Sequence, residues 1–141
     1  STVLAGTFGD AVGPDRALEC VVRIGREVVR VCHANNIKLP EIFGLDFDTL
    51  YEFKTPEEEE KAKAAVKGVF NGNEGKASML QDLEKGRKCE IFAINGVVSS
   101  TGRKVGVETP YCDAVVKIVS EIEEGKRPLQ NNIADMPQLP L

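Results

Sequence analysis

The chain has no tryptophan and one histidine, His33, among its 141 residues. A cluster of histidine ligands, the usual basis of a zinc or copper site, is therefore excluded, and no metal site is expected. No apolar run approaches the roughly 18 residues of a bilayer-spanning helix, so no membrane span is expected. Positive charge is not in excess either. Lys and Arg number 18 against 22 Asp and Glu, a net charge of -4. A general nucleic-acid binder relies on surplus cations to release counterions from phosphates, so that class is set aside. The four cysteines, at positions 20, 32, 89 and 112, form no C-x-x-C pair. Zinc-knuckle and dithiol redox motifs lose their support. The cysteines read as free thiols of a cytoplasmic protein, with Cys20, Cys32 and Cys112 among apolar residues. Ser1–Gly9 lacks the basic start and apolar stretch of a signal peptide. A chain opening on Ser is expected to be a processed product or a fragment.

Strand signals are missing as well: no alternating β-branched run is bounded by hairpin turns. What is present is helical spacing. Leu18, Val21, Val22, Val28, Val29 and Cys32 recur on one stripe behind Pro14-Asp15, and Asn35-Asn36 ends it. Gly25 lies on that stripe, where it would let a neighbouring helix approach closely. Asp46–Tyr51 fits a short helical turn. Thr55-Pro56-Glu57 opens a helix that stops at Asn71-Gly72. Its acidic run Glu57–Glu60 could bind a metal but reads better as a solvated face. Further helices are expected over 76–85, with Met79, Leu80 and Leu83 inward, and over 90–105, with Ile91, Ile94, Val98 and Val105 inward. The last runs from Thr109-Pro110 to Gly125. The fold class is therefore all-α: a compact multi-helix domain over 1–127, followed by an extended or disordered tail over 128–141.

Two nucleotide-binding loops can be dismissed. Gly6-Thr7-Phe8-Gly9 lacks the G-x-G-x-x-G spacing and has no strand before it. Gly75-Lys76 is followed by Ala77 and has Phe70 in place of the first P-loop glycine. His33 is tied to no nucleophile: Cys32 beside it points about 100° away on a helix. Near a helix C-terminus it has a plainer use, as a cation against the dipole.

The informative stretch is Ser78-Met79-Leu80-Gln81-Asp82, then Gly86-Arg87, Glu90-Ile91 and Ile94-Asn95-Gly96, ending in Gly106-Val107-Glu108-Thr109-Pro110. A turn at Gly86 can fold two helices into a corner, with the Ser78 hydroxyl and the Glu90 carboxylate at one cleft. Asn95 and Gly96, both poor helix formers mid-helix, point to close packing or a polar contact. The plain alternative is that Ser78 caps a helix and Glu90 favours a dipole end.

These motifs resemble the C-terminal domain of ketopantoate reductases (2-dehydropantoate 2-reductases). The similarity is strong over 78–110. It extends more loosely over Arg26-Glu27-Val28-Val29 and Asn36-Ile37-Lys38-Leu39-Pro40. The resemblance implies the helical half of a cytoplasmic, homodimeric enzyme of pantothenate biosynthesis. Such an enzyme reduces ketopantoate to pantoate with NADP, held mainly by an N-terminal Rossmann domain outside this chain. By the same resemblance Ser78 binds the 2-keto acid, Glu90 is catalytic, and Asn95 supports the site. No residue here is assigned to the cofactor. The family's catalytic lysine lies on a helix that would end about where Ser1 begins, so the general acid is expected outside the chain. Gly75, Cys89 and Phe92 stand where the family usually has Asn, Thr and an acidic residue, and the 40–78 stretch is longer than usual. The competing expectation is a helical dimerisation or interaction module without chemistry.

Overall fold

The computed structural model describes all 141 residues. It is 58% helical, with no strand or sheet. Seven α-helices occur in order: α1 (Phe8–Val12), α2 (Asp15–Ala34), α3 (Phe47–Leu50), α4 (Pro56–Phe70), α5 (Ser78–Glu84), α6 (Asn95–Val105) and α7 (Pro110–Glu123). Short 3-10 turns lie at Thr2–Leu4 and Ile133–Asp135. No helix is long and apolar enough to cross a membrane.

Local chemistry explains most of the boundaries. Thr55 accepts the amide of Glu58, and Glu58 returns the contact to the Thr55 amide, a capping box with Pro56 in the first turn. Thr7 and Asp10 form the same device before α1. The sequence reading predicts no helix over Phe8–Val12, where the glycines mask a T-x-x-D start. α2 stops at Asn35, and Asn36 takes a left-handed conformation with φ 56°.

The long α2 is the spine, packed against α1, α4, α6 and α7. One apolar cluster joins Cys20 of α2 to Leu83, Ile91 and the inner face of α7, including Tyr111, Val115 and Val119. The other joins Leu18 and Val22 of α2 to Phe47, Phe53, Ala62 and Val66. Gly25 does lie at a close approach, but to a ring rather than a helix. A Cβ there would stand 2.6 Å from two ring carbons of Tyr51. Gly102 of α6 likewise faces the Val107 carbonyl and Val31 of α2.

The helix expected over 90–105 is shorter than its periodicity suggests. Residues 91–94 form a turn, and the helix starts at Asn95. Ile91 is fully buried in that turn, whereas Ile94 is exposed. The buried face of α6 is Ser99 and Gly102 instead. Asn95 and Gly96 are thus a helix beginning, a position their low propensity does not oppose.

The acidic run is not a uniformly solvated face. Glu59 is buried and pairs with buried Arg23 at 2.7 Å, while Glu57, Glu58 and Glu60 stay in solvent. A buried pair of this kind links α2 to α4, and losing either partner would leave an uncompensated charge. The tail beyond Pro128 is largely extended and lies back on the helices. Met136 is buried, Arg16 donates to the Met136 carbonyl, and Arg23 donates to the carbonyl of Leu139.

Candidate functional site

Leu80 and Leu83 bury one face of α5, and Ile91 buries the turn beyond it. These anchors leave Ser78 and Glu90 in solvent. Ala77, not Ser78, occupies the position before α5, with no side-chain cap. Glu90 lies five residues ahead of α6, outside its first turn. Its backbone carbonyl accepts the amides of Ala93 and Ile94. No intramolecular hydrogen bond or ion pair occupies the Ser78 hydroxyl or the Glu90 carboxylate. The capping and dipole roles that offered a plain alternative are therefore not the roles seen. No hydrogen bond joins the two side chains: both stand exposed, on neighbouring elements that share the Leu83–Ile91 core.

Asn95 is half-buried at the start of α6, and its amide donates to the Cys112 sulfur at 3.9 Å. It ties α6 to α7 rather than reaching Glu90. Burial pushes the Cys112 thiol far up, so it is inert as a nucleophile. Cys89, beside Glu90, is half-buried, and its amide donates to Glu123 of α7 at 2.8 Å, which holds the turn in place. Burial raises the Cys89 thiol as well.

An apolar cavity of about 220 Å³ opens nearby, walled by Phe8, Cys20, Ile24, Met79, Val115 and Met136. Ala77 and Met79, on either side of Ser78, line it, as does Asn95. Ser78 and Glu90 do not. An exposed apolar row, Phe92, Ile94 and Val97, continues from Glu90 into α6.

His33 is engaged elsewhere, at the far end of α2. Its Nε2 stands 2.9 Å from Asp48 and its Nδ1 3.2 Å from Glu52. Asp48 also accepts the Leu39 amide at 2.8 Å, so the cluster pins the loop after α2 to α3. The Asp48 hydrogen bond, the largest influence, raises the His33 pKa.

The helix N-termini speak to dinucleotide binding. A pyrophosphate needs free amides at a helix start, presented by a Gly-rich turn. Capping boxes close α1 and α4. At α7 a side chain that sequence reasoning passed over does so: buried Glu27 of α2 accepts the amides of Tyr111 and Cys112 at 2.7 and 2.8 Å. A carboxylate already stands where a phosphate would bind. These three termini do not fit a dinucleotide, whereas the starts of α2, α5 and α6 carry no side-chain cap. In the sequence Glu27 stands out only as a member of Arg26-Glu27-Val28-Val29, with no role attached to it.

Comparison with known proteins places this arrangement. The chain is 32% identical over 114 residues to a 2-dehydropantoate 2-reductase of Streptococcus pyogenes, covering 80% of the chain and 32% of that protein. It is 46% identical over 57 residues to the Mesorhizobium japonicum protein of the same name, 40% of this chain and 18% of that one. The chain thus spans about a third or less of the curated relatives it matches. Among solved structures it resembles D-mandelate dehydrogenase in a ternary structure with NADH and anilino(oxo)acetate. The TM-score is 0.63 at 29% identity, covering 89% of this chain and 46% of that one. Residues 1–123 match the family described as Ketopantoate reductase PanE/ApbA C terminal. With that match spanning nearly the whole chain and the all-α architecture beside it, the chain belongs to the ketopantoate reductase C-terminal domain family.

Proposed function

We propose that this chain is the substrate-side half of an NADP-dependent 2-keto acid reductase of the 2-dehydropantoate 2-reductase type. The observation that carries the reading is the state of Ser78 and Glu90. By resemblance both stand at the family's motif positions, both are flanked by buried neighbours, and neither side chain makes a hydrogen bond or ion pair within the chain. Polar side chains held in this way are available to a ligand.

In this reading the Ser78 hydroxyl donates a hydrogen bond to the 2-keto acid and orients it. Glu90 acts as the catalytic carboxylate, holding by charge and hydrogen bond the lysine that protonates the keto oxygen. That lysine and the cofactor site belong to a Rossmann-type domain and linking helix outside these residues. Asn95 supports the site indirectly by fixing the start of α6 against α7. The natural substrate is ketopantoate or a close 2-keto acid, and the reaction belongs to pantothenate biosynthesis in the cytoplasm.

The test uses the full-length enzyme with 2-dehydropantoate and NADPH. Ser78→Ala should raise KM and Glu90→Ala should lower kcat. Unchanged kinetics in both variants would reject the assignment. The exposed row Phe92, Ile94 and Val97 favours a second reading, in which the domain serves as a homodimerisation module. Under that reading the two substitutions leave turnover intact, while charges placed in the row make the protein monomeric in sedimentation.

A further inference from the structure

The segment that leads into α5 hangs on the first turn of α1. An α-helix leaves its first amides without intrahelical partners. In α1 the capping box satisfies Asp10, and two other amides donate outward. Phe8 donates to the Gly75 carbonyl and Gly9 to the Asn73 carbonyl, both at 2.8 Å. The Asn73 side chain closes the segment from within: its Oδ1 accepts the Gly75 amide at 2.8 Å. Gly72 enters the segment at φ 71°, a left-handed turn suited to glycine.

The fit leaves no spare room. A Cβ on Gly9 would stand 3.1 Å from the Asn73 carbonyl oxygen. One on Gly75 would stand 2.9 Å from Asn73 Oδ1 and 3.2 Å from the Phe8 ring. Residues 71–76 are otherwise exposed and bury nothing in the core. Their ordered path therefore serves the next helix, α5, which opens on Ser78 just past Gly75. Leu80 and Leu83 hold the rest of α5 from the other side.

We infer that Asn73 is a positioning residue for Ser78, forming with the first turn of α1 a bracket that sets where the serine meets the 2-keto acid. The inference rests on the reading of Ser78 given above. It adds a residue that α2, α3 and α4 separate from α1 in sequence, and whose side chain touches neither substrate nor cofactor.

The experiment compares variants of the full-length enzyme with 2-dehydropantoate and NADPH as the probes. Asn73→Ala should raise KM for the keto acid about 10-fold, with kcat within about twofold and KM for NADPH unchanged, because it displaces a binding group rather than the chemistry. Asn73→Asp keeps the acceptor oxygen and should restore KM to within about twofold of the parent. In a Ser78→Ala background, Asn73→Ala should add less than about twofold. Three outcomes overturn the inference. If Ser78→Ala raises KM while Asn73→Ala does not, the bracket is removed and the serine stays. If Asn73→Ala costs the same factor with and without Ser78, its role is general. If Ser78→Ala has no effect, or the parent does not turn over 2-dehydropantoate, the reading of Ser78 fails and takes the bracket with it.

Discussion

The carboxylate of Glu27 reaches from the middle of α2 to the amide of Tyr111 at 2.7 Å, and to that of Cys112 at 2.8 Å, closing a helix start that its own Thr109 leaves uncapped. A buried carboxyl group thus caps a helix 84 residues away in sequence. Hydrogen bonds to a charged group contribute about 1.5–3 kcal/mol each, and the helix dipole adds to them.

Glu27→Ala is therefore expected to destabilise the domain by about 2–4 kcal/mol, read by urea denaturation. Glu27→Gln keeps one acceptor oxygen and should lose less. The pH dependence has a definite sign. Burial, the largest influence, holds the Glu27 carboxyl above its ordinary value despite both amides. Its contribution is greatest below the unfolded-state value near pH 4.5 and declines as pH rises through the folded-state value. The Gln variant should lack that decline, and an identical pH profile in the two proteins would contradict this account.

His33 is the sole histidine, so one imidazole resonance reports its titration by NMR. Its midpoint should lie above the ordinary value of about 6.5, and Asp48→Asn should bring it back toward that value. A raised histidine value stabilises the folded state below pH about 6.5, and the benefit is lost as pH rises through the folded-state midpoint. Asp48 is lowered, first by the Leu39 amide, so its benefit is lost only as pH falls below about 3.9. The loop after α2 should accordingly be best protected from hydrogen exchange between pH about 4 and 6.5. A midpoint at or below 6.5 in the parent would refute the pairing.

Gly25 sits against a ring. Replacing it by Ala gains about 1 kcal/mol of helix propensity. The new Cβ would meet Tyr51 at 2.6 Å, and the ring is held by its stack on Phe47 at 5.1 Å. Overpacking of this kind costs about 1–3 kcal/mol. Gly25→Ala should therefore be neutral to destabilising by up to about 2 kcal/mol in the parent. In a Tyr51→Ala background the same change should stabilise by up to about 1 kcal/mol. Equal effects in both backgrounds would show that the ring is not the obstacle.

The isolated 141-residue chain should not bind NADPH measurably in titration calorimetry. Its helix starts at α1, α4 and α7 are already closed by carboxylates and hydroxyls of the chain itself. Micromolar binding would place a cofactor site at one of the helix starts that carry no side-chain cap, α2, α5 or α6.

The sequence by itself determined the class of the fold and the motif positions of the candidate site. Helical spacing, the absence of strand alternation, and the Thr55-Pro56 and Thr109-Pro110 starts are local signals, written within a few residues of where they act. The same holds for the order of Ser78, Glu90 and Asn95 along the chain. Only the tertiary structure decided what those residues do when folded. Periodicity carries the sixth helix back to Glu90, but burial of Ile91 requires a turn there, and that demand comes from α5 and α7 rather than from the segment itself. Glu59 reads as one acid among four, and only the distant Arg23 singles it out. Glu27 reads as one more charged residue of α2 until the start of α7 lies against it. In each case the deciding partner is far away in sequence. Burial, charge pairing and the cap on α7 depend on what the whole chain brings near, whereas propensity and the capping boxes of Thr7 and Thr55 depend only on neighbours.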